Sequence, residues 1–228
     1  TLGGSGDDAA YSIEVAPDNT FGALGNLDIV VGGGTMSGNM PFPGGGIQPA
    51  PAGGTEGWVA RMTAGSDNLT VQFGTYHGLA EYDQVYFVQR DATGRPYAFG
   101  QARTGMPILG DVYANPGSGQ YITCFFEDLS DIAWQTTIGT ESGTIDISPT
   151  AFLISDCDQV YISGWGGQTN ATGGTSAVAG STTSGLPTTD SPFQSSADGS
   201  DFYLAVLAPN AADLVYATFF GGQFANEH

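Results

Sequence analysis

A short phrase recurs three times in the chain: a bulky apolar residue, a proline, and a second apolar residue six positions beyond the proline. It reads Met40-Pro41 to Ile47, Met106-Pro107 to Tyr113, and Leu186-Pro187 to Phe193. Each copy is followed by an apolar run, Trp58 to Met62, Tyr121 to Phe126 or Phe202 to Leu207. A second run then follows, Leu69 to Thr75, Ile132 to Ile138 or Leu214 to Phe220, and ends near Gly78, Gly139 or Gly221. Self-similarity at a long period is the sequence mark of a propeller, a solenoid or an array. The residues that repeat are structural types, so the repeat constrains fold more than activity.

The rest of each copy reads as strands and turns. Ala151 to Ile154, the polar turn Ser155 to Asp158, and the alternating run Gln159 to Gly164 form a hairpin. In the first copy Tyr11 to Ala16 and Leu27 to Gly32 do the same, and in the second Val85 to Gln89 and Pro96 to Gln101 flank the turn Asp91-Ala-Thr-Gly94. Thirty-six glycines and 12 prolines supply frequent turns between short apolar runs. The expectation is an all-β, propeller-like array of three four-stranded antiparallel blades. The units are 1–78, 79–139 and 140–222, with 223–228 beginning another. Four strands in a meander are what a propeller blade needs, and three blades are too few for a closed ring. The array is therefore expected to be part of a larger propeller, with bare sheet faces at both ends that dock on flanking blades of the same polypeptide or on another protein.

Charge narrows the partners. The 228 residues hold 23 Asp and Glu against four Arg and no Lys, for a net charge of -19. A basic stripe for phosphates cannot be assembled, which argues against nucleic acid, and anionic membrane surfaces are disfavoured for the same reason. No apolar run approaches the length of a membrane span, so membrane insertion is not expected. Cys124 lies in an apolar run and Cys157 in a polar turn, and both are expected to be free thiols.

One family resemblance is specific. Ser148-Pro-Thr-Ala-Phe-Leu153, Val160-Tyr-Ile-Ser-Gly-Trp-Gly166, Leu186-Pro-Thr-Thr189, Asp198-Gly-Ser-Asp-Phe-Tyr-Leu204 and Tyr216-Ala-Thr-Phe-Phe-Gly-Gly222 resemble the propeller-type repeats of very large Bacteroidota cell-surface proteins. Thr1-Leu-Gly-Gly-Ser-Gly-Asp-Asp8 is similar to the junction phrase between such repeats. The likeness is strong in the third unit and looser in the second. It implies export through the type IX secretion machinery, association with gliding motility, and an adhesin-like or surface-layer role at the bacterial cell surface.

Candidate chemistry is sparse. His77 sits at a junction and reads as a packed side chain, and His228 is the other histidine, so no Ser-His-Asp or histidine-rich metal set emerges. Asp7 with Asp8, Asp156 with Asp158, and Asp198 with Asp201 lie in Gly- or Ser-containing turns. Such oxygen-rich turns could hold calcium, or could simply bond local backbone amides. Trp165, in the glycine-rich Ser163-Gly-Trp-Gly-Gly167, could seal two blades or lie open to a sugar. Trp58, Tyr121 and Phe202 read as equivalent core rings. The reading is a non-enzymatic adhesive or structural segment of an exported surface protein. A glycan-binding propeller that uses loop aromatics is the alternative, and a hydrolase with paired carboxylates a third class.

Overall fold

The computed structural model describes residues 2–15, 27–64, 68–166 and 181–222. They form twelve strands in three four-stranded sheets, each a simple meander. The first sheet contains β1 (Asp8–Val15), β2 (Leu27–Thr35), β3 (Glu56–Ala64) and β4 (Leu69–His77). The second contains β5 (Asp83–Arg90), β6 (Pro96–Ala102), β7 (Gln120–Phe125) and β8 (Ile132–Ile138). The third contains β9 (Ser148–Ile154), β10 (Val160–Trp165), β11 (Phe202–Leu207) and β12 (Leu214–Phe220). One sheet falls in each sequence repeat. The described residues hold no α-helix, only a 3₁₀ turn at Pro209–Ala211, and no helix among them is long and apolar enough to cross a membrane. By compactness the chain forms two units, residues 1–101 with 123–133, and residues 102–122 with 134–228.

The first and third sheets repeat pair by pair. In the first, Gly33 pairs with Trp58 and Trp58 with Tyr76; in the third, Gly164 pairs with Tyr203 and Tyr203 with Phe219. Even the irregularities coincide. The third strand shifts register after Arg61 in one and after Val206 in the other, three residues past the matched ring. The first pair of strands shifts at Ala10/Ser12 opposite Gly33 and Gly32, and at Pro149/Ala151 opposite Gly164 and Ser163. Bulges at matched places bend matched strands alike. The register corrects one expectation: Tyr203, not Phe202, stands where Trp58 stands, because Phe202 pairs with Phe220 on the opposite face.

The residue before each repeated proline is an anchor. Met40, Met106 and Leu186 are all buried. Each loop is fastened to its sheet by a polar atom from the strands: Tyr76 accepts from the Met40 N–H and donates to Ser37 O, Gln135 Nε2 donates to Pro107 O, and Tyr203 donates to Pro187 O. The apolar residues six positions on share no such environment, since Ile47 and Phe193 are exposed. In the first sheet the anchored loop brings Met40 and Phe42 onto Trp58, Tyr76, Ile29 and Met62. That face is therefore covered from within the unit.

Glycine is required where backbones approach. A Cβ on Gly33 would lie 1.8 Å from Ala9 O, and one on Gly32 would meet Val85 and Val88 of β5 at 2.6–2.7 Å. The run Gly32-Gly33-Gly34 thus lets β1 and β5 close on β2.

Candidate functional site

Two of the acidic residues singled out in the sequence, Asp8 and Asp201, belong to constructions that recur. In the first, an Asp at the start of a sheet turns back on the glycine-containing junction before it. Asp8 Oδ2 accepts the Gly4 N–H at 2.7 Å, Asp83 Oδ2 the Leu79 N–H at 2.6 Å, and Asp146 Oδ2 the Thr140 N–H at 2.8 Å. The carboxylate takes an amide that the tight junction leaves without a strand partner. Their titration differs because their surroundings differ. Burial works to raise the Asp8 pKa, but hydrogen bonds from Thr35, the Gly4 backbone and Ser37 outweigh it and hold the carboxyl below its usual range. Asp83 is buried, its Oδ1 has no hydrogen-bond partner, and Glu56 and Glu81 add like charge; burial above all pushes it up to about 7 despite the Leu79 amide. Burial also raises Asp146 against the opposing bonds of Thr140.

The second construction clamps a loop to the last strand. Gln48 N–H donates to Thr75 Oγ1 (2.9 Å), Tyr76 N–H to Gln48 O (3.0 Å), Gly78 N–H to Gln48 Oε1 (3.1 Å), and Gln48 Nε2 to Glu56 Oε1 (2.6 Å). In the third repeat Gln194 N–H donates to Thr218 Oγ1 (2.9 Å), Phe219 N–H to Gln194 O (3.1 Å), Gly221 N–H to Gln194 Oε1 (3.2 Å), and Gln194 Nε2 to Asp201 Oδ2 (2.9 Å). Asp201 therefore does what Glu56 does. In the second repeat Asn115 takes part of the role: its N–H donates to Thr137 O and Gly139 N–H to its Oδ1.

Of the candidate calcium residues, Asp198 and Asp201 are engaged by local donors, whereas Asp158 Oδ1 is buried without a hydrogen-bond partner. Asp201 Oδ2 accepts from Gln194 and from the Asp198 N–H, while Asp198 Oδ1 accepts the Ser200 N–H and hydroxyl, bonds that lower its pKa. Asp156 is exposed and Asp158 half-buried at the hairpin turn between β9 and β10, where Asp158 has φ 58° and donates its N–H to Ser155 O. Among the described residues no three His, Cys, Asp or Glu side chains come together as a metal site. Trp165 is half-buried at the end of β10, paired with Ser148 and Phe202, and so belongs to a strand rather than a loop tip. His77 is buried, 2.9 Å from Thr123 Oγ1 and edge-on to Phe125, a packed side chain; His228 lies outside the described residues. Cys124 is buried and Cys157 exposed, and the two are not joined in a disulfide.

The most concentrated charge was not anticipated. Asp28, with no exposed surface, accepts from Arg61 Nε and Nη2 at 2.9–3.1 Å, and Arg90 Nη1 lies 2.6 Å from its Oδ2. Arg61 Nη1 also donates to Glu127 O at 2.9 Å and approaches Glu127 Oε2 at 3.4 Å. Arg95 pairs with Asp91 at 2.7 Å. Three of the four arginines thus serve internal carboxylates. The signal was present in sequence: Arg61 interrupts an apolar strand and Asp28 opens another, in a chain with almost no cations.

The chain matches no protein-family model and none of the curated proteins.

Proposed function

We propose that the chain is a non-enzymatic structural or adhesive segment of an exported bacterial cell-surface protein, built as consecutive blades of a propeller-like array. One observation carries the reading: the carboxylates and amides with the potential for chemistry recur from copy to copy and are taken up by local hydrogen bonds. Asp8, Asp83 and Asp146 hold junctions, and Glu56 with Asp201 hold loops. A catalytic or ligand-binding set need appear only once, whereas a construction found again in another copy, the junction Asp in all three and the acid-supported clamp in two, serves the copies. Export by the type IX machinery and a Bacteroidota source belong to this proposal through the resemblance of residues 148–222.

A glycan array probed with the intact chain tests it. The structural reading expects no sugar bound specifically. Specific binding that Trp165→Ala abolishes would replace it with the lectin-like reading, and turnover of a polysaccharide removed by substitution of one carboxylate would replace it with a hydrolase.

A further inference from the structure

The first and third sheets present matched faces with different fates. In the first sheet the face holding Val30, Val59 and His77 is covered by β5 and the end of β7. Val85 and Val88 lie over Gly32, the Val88 N–H donates to Ser12 Oγ at 3.1 Å, Tyr86 stacks on Tyr11 at 5.2 Å, and His77 packs on Phe125. Val30 and Val59 have no exposed surface and His77 is 3% exposed. Their counterparts by register in the third sheet are Tyr161, Leu204 and Phe220, which are 37%, 40% and 56% exposed. Leu153 and Tyr216 end the row that runs through Tyr161 and Val206, and are exposed too. Aromatic and aliphatic side chains on four adjacent strands make a continuous apolar patch of the kind that marks an interaction surface.

We propose that this face is docked by a further four-stranded sheet of the same repeat, its first strand lying across β9, β10 and β11 as β5 lies across β1, β2 and β3. The occupant is named by the first sheet itself, where the cover is the next sheet in sequence and is reached directly from Gly78. Gly221, bonded to Gln194 as Gly78 is to Gln48, is the matched departure point. The fit also specifies the docking strand. Ser163, Trp165 and Phe202 stand where the first sheet has Gly32, Gly34 and Gly57. The occupant therefore carries small side chains where β5 has Val85 and Val88. This inference rests on the recurrence of the sheets, not on the adhesive role, and stands if that role fails.

The test compares hydroxyl-radical labelling of Tyr161 and Tyr216 in two monomeric proteins. One is the 228-residue chain. The other is residues 1–221 followed by a copy of residues 79–139 carrying Val85→Ala and Val88→Ala. Extension should lower labelling of both tyrosines about fourfold, the ratio between their present exposure and that of a buried side chain. It should also remove binding of an apolar dye, and Leu204→Glu in the extended protein should restore both signals. Labelling unchanged by extension overturns the proposal. So does labelling already low in the monomeric 228-residue chain, which would mean another segment of the chain covers the face. A discrete dimer that protects the tyrosines regardless of extension overturns it in favour of a second copy.

Discussion

The first and third sheets share clamps, bulges and anchored loops, yet the matched rows Val30-Arg61-Phe73 and Tyr161-Val206-Tyr216 are built from different chemistry. In the first, a guanidinium sits at the centre of the row and is neutralised by Asp28 beneath a covering strand. In the third, a valine takes its place between two tyrosines. The constant of the repeat is therefore the hydrogen-bonded frame at the sheet's end, while the face is free to vary. An apolar row adheres without strong orientation, whereas a buried ion triad accepts only one placement of Arg90, and so of β5.

The largest expected effect breaks that triad. Asp28→Ala leaves two buried guanidiniums without their shared acceptor and should lower unfolding free energy by about 3–5 kcal/mol in urea titration. Val206→Ala, at the place matched to Arg61, should lose only about 1 kcal/mol because the side chain is half-buried. Equal losses would mean that the rows are energetically alike. Replacing the triad together, Asp28→Leu with Arg61→Met and Arg90→Leu, should recover most of the stability while broadening the resonances of β5, if the charges chiefly set register.

A second comparison separates the junction acids by pH. Asp83 is raised to about 7 when folded, so the native state binds a proton that the unfolded chain gives up near its ordinary value. The stability this supplies is present in the acid range and is lost as pH rises from about 4 through 7, an effect on the order of 4 kcal/mol. Asp83→Asn should flatten that window and raise stability at pH 8. Asp8 has the opposite sign: its folded pKa is depressed, so its contribution is present above its unfolded value and lost as pH falls through the folded one. Chemical denaturation of Asp83→Asn and Asp8→Asn across pH resolves the two, and parallel profiles would contradict the assignment.

Thr75→Val and Thr218→Val each remove the hydroxyl that accepts a loop amide, and each should lose about 1 kcal/mol by thermal melting if the clamps are equivalent. The smallest effect concerns calcium. Because the Asp198 and Asp201 oxygens already accept local donors, millimolar calcium should leave the melting temperature unchanged, and a clear rise would identify a site there.

All twelve strands were legible in sequence because strand and turn residues alternate sharply; Ile132–Ile138, Phe202–Leu207 and Leu214–Phe220 coincide with their apolar runs end to end. The error over Phe202 arose where two aromatic residues are adjacent, since apolar content cannot say which of them faces which side. The site was less legible. Asp8 and Asp201 look like ligand residues when read by type, and only hydrogen-bond partners reveal that they hold main chain. The Asp28 triad joins residues far apart in sequence, which no local pattern predicts.

The glutamine clamp carries a consequence for variation. Gln48 and Gln194 each tie down the close of a long connection through bonds that mostly involve backbone atoms. The proline phrase of each connection is anchored separately, at Met40 in one case and Leu186 in the other. Ahead of these anchors the connections differ, residues 36–39 in one and 166–185 in the other, yet both close on the same frame, so segments of different length and composition can be accommodated there without re-engineering the strands. The repeat is thus a socket as well as a support, and new surface chemistry can be fitted to it one connection at a time.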